Sequence, residues 1–219
     1  MPTRDHYTQQ LEALHAELRS LGQLVVAAIT WSLGAFNRHD TTIAQRIVAD
    51  DHDIDHAQYT LEEHTLGVIA TQQPVAGDLR RLIATIAIAS ELERIGDYAK
   101  SIAKIVIRDV EQPPVEPPVE MAQMAERALA MLNAALEAFI QQDVDVAQRL
   151  GAADDKVDAL HKQVRAELID RLQREPTNAS QLADLLAVTH NIERIADRTT
   201  NIAERVIFMV KGAQVELNP

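Results

Sequence analysis

Apolar residues return every three or four positions along most of this chain. Leu11, Leu14, Leu18, Leu21 and Val25 form one such run. That spacing places them on one face of an α-helix. The pattern predicts six helices, at roughly 4–37, 41–71, 76–109, 119–141, 144–174 and 178–211. Asp40 and Asp143 stand just ahead of the second and fifth, where a short acidic side chain caps free backbone N–H groups. Pro74 and Pro176 separate the second helix from the third and the fifth from the sixth. Proline cannot continue a helix, so both mark turns. A helix of about 30 residues is about 45 Å long. Three such rods, each with an apolar stripe, bury those stripes as an antiparallel bundle.

The chain also repeats itself. Ala35-Phe36, Asp40 and Ala44-Gln45-Arg46-Ile47 return as Ala138-Phe139, Asp143 and Ala147-Gln148-Arg149-Leu150, at an offset of 103. Glu93-Arg94-Ile95-Gly96-Asp97 returns as Glu193-Arg194-Ile195-Ala196-Asp197, at an offset of 100. Between the copies lies Pro113-Pro114-Val115-Glu116-Pro117-Pro118. Paired prolines favour a stiff, extended connection. The predicted organisation is all-α: a three-helix bundle at 1–110, a proline-rich linker at 111–118 and a second bundle at 119–219.

Composition narrows this further. Hydrophobic residues make up 47% of the 219, but aromatics only 3%, so the core must be aliphatic. The net charge of -12 would repel a phosphate backbone and argues against nucleic acid as a partner. Divalent cations and basic protein surfaces suit it better. The absence of cysteine excludes disulfides and thiolate metal sites. The start, Met1-Pro2-Thr3-Arg4-Asp5, does not read as a signal peptide. The longest apolar stretch, residues 82–89, is too short to span a bilayer. These features are compatible with the cytoplasm, and any membrane role is expected to be peripheral.

Four acidic pairs carry the candidate chemistry: Asp51/Asp55, Glu93/Asp97, Asp154/Asp158 and Glu193/Asp197. Each has i, i+4 spacing, which sets two carboxylates side by side on one helix face. The first two pairs are centred on residues 53 and 95, with Pro74 midway. The other two are centred on 156 and 195, with their midpoint beside Pro176. A hairpin folded at either proline therefore brings its two pairs level. Four carboxylates then converge in each half, where only protons or a cation can hold them together. An all-oxygen site suits hard cations such as Mg, Ca, Mn or iron, and zinc is compatible. His52, His56 and His190 lie near these acids but lack counterparts in the other copy, and they read as ordinary surface residues. Trp31 reads as a packing residue.

The segment from Ile69 through Gln72-Gln73-Pro74 and Gly77-Asp78-Leu79-Arg80-Arg81, with Glu91-Leu92-Glu93-Arg94-Ile95-Gly96-Asp97, resembles the PhoU family. So do Asn191-Ile192-Glu193-Arg194-Ile195-Ala196-Asp197-Arg198, Asn201-Ile202-Ala203-Glu204 and the closing Val210-Lys211-Gly212. The resemblance spans nearly the whole chain. It implies two pseudo-symmetric three-helix bundles carrying multinuclear iron or zinc clusters, with Mg or Mn as other candidates. The ligands it implies are Asp51, Asp55, Glu93, Asp97, Asp154, Asp158, Glu193 and Asp197, with Asn201 and Glu204 one turn further in the second copy. The first copy has Ser101 and Lys104 there. A lysine competes with a cation, so the first site is expected to bind metal more weakly or to hold a smaller cluster.

The resemblance further implies a cytoplasmic negative regulator of the phosphate-starvation response. Its expected partners are the ATP-binding subunit of the high-affinity phosphate transporter and a sensor histidine kinase. A homodimer is a further assembly to test. Two other readings compete: a metal-free helical adaptor, and an accessory subunit of a low-affinity phosphate transporter. A di-iron carboxylate enzyme fits poorly, because that chemistry needs Glu-x-x-His on two helices. Glu12-Ala13-Leu14-His15 has the spacing, unrepeated and far from the acids. The expectation is a non-enzymatic protein.

Overall fold

The computed structural model describes residues 2–108 and 115–218, with side chains from His6 onward. Six long helices make up the fold: α1 (Pro2–Arg38), α2 (Thr41–Gln72), α3 (Ala76–Arg108), α4 (Val119–Gln141), α5 (Val144–Arg174) and α6 (Ala179–Lys211). A single 3-10 turn, Pro176–Asn178, precedes α6. Each predicted helix is present, with ends moved by a few residues. Residues 109–114, which include the first half of the predicted linker, lie outside the described part. Residues 115–118 run without regular structure into α4. Arg171 pins this stretch by donating from Nη1 to the Glu116 carbonyl at 2.8 Å.

The caps follow the sequence reading. Asp40 Oδ1 accepts the Ile43 N–H at 3.0 Å, and Asp143 Oδ1 accepts the Val146 N–H at 2.9 Å. Each bond satisfies one of the donors a helix start leaves free, an effect of about 1 kcal/mol.

Within each repeat the three helices pack on one another. The two repeats then join through α3 and α6, the most extensive helix pair in the fold. This explains the composition of those two helices. α3 buries Leu82, Ile88, Leu92, Ile95, Ala99 and Ile102, and α6 buries Leu182, Val188, Ile192, Ile195, Ile202 and Val206. A helix covered on several sides needs small and aliphatic residues over a wide arc. One apolar core runs through both repeats, from Leu14, Leu18, Leu21 and Val25 of α1 to Leu168 of α5. Full burial of each such leucine is worth about 1.5–3 kcal/mol.

The seam is polar at its rim and unequal on its two sides. Glu91 of α3 accepts from Arg198 (3.3 Å) and Asn201 (3.2 Å) of α6. Residue 191, the repeat counterpart of Glu91, is an asparagine. Trp31 departs from expectation: it is 50% exposed, lining a groove with Leu24, Ile47, Asp50 and Ile54. Ala35, Ala44 and Ile47 are buried there instead, with Ala103 and Val106 of α3.

Candidate metal centre

The hairpins set each repeat's acidic pairs near one another, and the two repeats then differ: among the described residues only the second brings three carboxylate oxygens within 4.8 Å of one another. In the first repeat Asp51 is buried on α2 and Glu93 half-buried on α3, with Asp55 alongside and Asp97 more exposed. The charge these acids share is met by Lys100, one turn beyond Asp97. Its ammonium donates to Asp51 and lies 3.9 Å from Asp97. The hydrogen bond to Asp51 raises the Lys100 pKa, against the opposing effect of burial. Glu93 is also raised, by burial first and then by Asp97 and Asp55.

The lysine singled out in the sequence, Lys104, is exposed a full turn away and takes no part. Lys100 does the neutralising, because i, i+3 from Asp97 turns it inward over Asp51. Here a side chain already stands where a cation would be needed. The first quartet is therefore a poor fit for a multinuclear cluster.

The second repeat has Thr200 where the first has Lys100. Among the described residues no lysine pairs with its quartet, and Arg194 pairs with Asp197 alone. Asp154 of α5 is 3% exposed, and its Oδ1 has no hydrogen-bond partner among the described residues. Asp154, Asp158 and Asp197 each present an oxygen within 4.8 Å of the others. Burial pushes the Asp154 pKa up to about 7, helped by the charges of Asp197 and Asp158. Glu193 is likewise pushed up to about 7, by burial and then by Asp197. Asp197 is raised less, since Arg194 pairs with it and works against its burial. A buried, under-bonded set of carboxylates that resists ionisation is what a cation site looks like without its cation.

Two histidines extend this set. His161 Nδ1 lies 3.7 Å from Glu193 Oε1, and His190 Nδ1 lies 3.3 Å from Glu193 Oε2. Their ring centroids are 6.5 Å apart. Burial lowers the His161 pKa, with His190 next, favouring the neutral imidazole that metals bind. His190 is an exposed residue, as its sequence context implies, and reaches Glu193 from the surface, whereas His161 is more buried. Both obey the mirror rule that located the acids: residues 161 and 190 are equidistant from 175.5, as are Asp158 and Glu193. His52 and His56 stay exposed.

Of the two further residues the resemblance implied, Asn201 turns away from the quartet toward Glu91 at the repeat seam. Glu204 Oε1 accepts the backbone N–H of Leu217 at 2.8 Å. That contact belongs to a feature the sequence did not reveal. The segment after α6 folds back over the second quartet, and Asn218 Nδ2 donates to Asp154 Oδ2 (2.7 Å) and Asp197 Oδ1 (3.3 Å).

Two tandem three-helix units, each carrying an acidic quartet at the same height of its hairpin, define a duplicated all-helical carboxylate-bearing protein. The PhoU domain model matches residues 18–106 and 121–206, one match per repeat, and the chain belongs to the PhoU family. The phosphate-specific transport system accessory protein PhoU homolog of Clostridium acetobutylicum is 35% identical over 99% of both chains. The Escherichia coli accessory protein PhoU is 27% identical, over 94% of this chain and 86% of its own. The crystal structure of PhoU from Pseudomonas aeruginosa superposes with a TM-score of 0.91 at 29% identity, covering 94% of this chain and all of that one. The PhoU phosphate transport regulatory protein of Streptococcus pneumoniae gives 0.90 at 28%, covering 96% and 99%. Among the described residues, no helix is long and apolar enough to cross a membrane.

Proposed function

We propose that this chain is a metal-binding adaptor that restrains phosphate uptake and phosphate-starvation signalling, and that it is not an enzyme. It would dock on the ATP-binding subunit of a high-affinity phosphate transporter and on a sensor histidine kinase, in the cytoplasm at the membrane surface. The relatives' names support the transport half of this reading. The single observation that carries the metal half is the second quartet, with its buried Asp154 oxygen left without a partner.

Asp154, Asp158 and Asp197 would hold the ion, with Glu193 and its two histidines beside it. Oxygen-rich donors with a neighbouring imidazole suit iron, manganese or zinc. A bound cation would cancel the repulsion among these carboxylates and clamp α5 to α6. The protein would then offer partners one rigid acidic surface, matched to basic patches.

The test separates the two halves. Deleting the gene should raise expression of phosphate-scavenging genes in phosphate-rich medium, and unchanged expression would remove the regulatory reading. Purified native protein should retain transition metal by elemental analysis, and Asp158→Asn/Asp197→Asn protein should not. Equal metal in both would remove the site.

A further inference from the structure

We infer that Asn218, carried by the segment after α6, is a ligand of the second carboxylate site, so that cation binding and docking of this segment are coupled. The inference rests on the metal reading above.

The segment is held next to the site independently of any ion. Leu217 donates its N–H to Glu204, and Val215 and Leu217 pack against the core. Gly151 of α5 makes room for it: a Cβ there would lie 2.9 Å from the Leu217 carbonyl oxygen. That distance is too short for any other residue, so a helix-weakening glycine sits at the point of closest approach. These contacts deliver the Asn218 side chain onto Asp154 and Asp197.

The amide faces the carboxylates with its NH2 group, donating to Asp154 Oδ2 and Asp197 Oδ1, while Arg194 pairs with the other oxygen of Asp197. A half-turn about its Cβ–Cγ bond exchanges Nδ2 for Oδ1 without moving the backbone. Oδ1 would then stand 2.7 and 3.3 Å from the two carboxylate oxygens. Oxygens sharing an octahedral ion at about 2.1 Å sit about 3.0 Å from each other. The amide oxygen is thus at ligand-to-ligand spacing already, and an asparagine carbonyl is an ordinary donor for such ions. The second indication of an ion is the unpartnered Asp154 Oδ1 in the same pocket. By linkage, an ion that binds Asn218 must tighten the segment, and the segment must tighten the ion to the same degree.

Chelator-stripped full-length protein, titrated with Mn2+ and with Zn2+ by calorimetry, tests this alongside Asn218→Ala and Asn218→Asp. Hydrogen exchange over residues 213–218 supplies a second readout. Asn218→Ala should weaken binding about tenfold or more, as loss of a supporting ligand does. Asn218→Asp should restore binding, yet its segment should exchange rapidly until the ion is added. In the native chain the ion should slow exchange over 213–218. Native-like or tighter binding by Asn218→Ala would overturn the inference, the latter making the segment a competitor, while leaving the metal site intact. No binding by the native chain itself would overturn both.

Discussion

The two repeats answer one electrostatic problem in opposite ways. Each folds a hairpin that sets two acidic pairs near one another, most tightly in the second repeat. The first brings its own cation, Lys100, and so closes the account within the chain. The second has Thr200 at that place, leaves a buried oxygen of Asp154 without a partner and adds His161, His190 and Asn218 around the gap. The first copy has Gln58 and Ser90 where the histidines stand. Of two similar frames, one holds an internal ion pair and the other leaves a buried carboxylate oxygen without a partner among the described residues.

The sharpest break of this comparison uses pH. In chelator-stripped protein, Asp154 and Glu193 hold their protons up to about 7 when folded, but release them near 4 when unfolded. The folded state therefore binds more protons in between, and stability must fall as pH rises from about 4 to about 7. The contribution is fully present below the unfolded value and lost above the folded one. Asp154→Asn should flatten that slope in urea titrations. The matching Asp51→Asn should leave the slope in place and lower stability near neutral pH, by stranding Lys100. Equal behaviour of the two variants would erase the distinction between the repeats.

A smaller effect is expected from Lys100→Thr, which gives the first copy the residue of the second. Removing one partner of a mostly buried pair should cost about 2–3 kcal/mol, toward the low end because Lys100 keeps some solvent contact. Added Mn2+ should recover part of it, measured as a shift of the urea midpoint. Loss without recovery would mean that the first quartet lacks more than a vacancy for a cation.

The smallest concerns packing behind the sites. A Cβ on Gly96 would meet Ile54 Cδ1 at 3.1 Å and Cγ2 at 3.2 Å. The second copy places Ala196 and Val157 at these positions, moving a methyl group from one helix to the other. Gly96→Ala gains helix propensity but crowds Ile54, whereas Gly96→Ala with Ile54→Val should be relieved of the clash. A favourable coupling of about 1 kcal/mol is expected from the double-mutant cycle. Zero coupling would show that Ile54 simply turns aside.

Much of this was written locally. Periodicity, two capping aspartates and two prolines determined six helices and two hairpins, because those signals act within one or two turns. Mirror distance about Pro74 and Pro176 determined which acids would meet, since an antiparallel hairpin pairs residues by arithmetic alone. The same arithmetic pairs His161 with His190. What lay beyond it depends on rotation and on distance in the chain. Lys100 rather than Lys104 neutralises the first site because four residues move a side chain about 6 Å along the same helix face, and only Lys100 comes within reach of Asp51. Asn201 turns to Glu91 because the packing of α3 on α6 brings that acid within reach. Asn218 meets Asp154 across 64 residues, by a path that depends on Gly151, Glu204 and an apolar seat formed only when α5 and α6 are together. Contacts of that kind have no period and no local signature, so tertiary packing alone decides them.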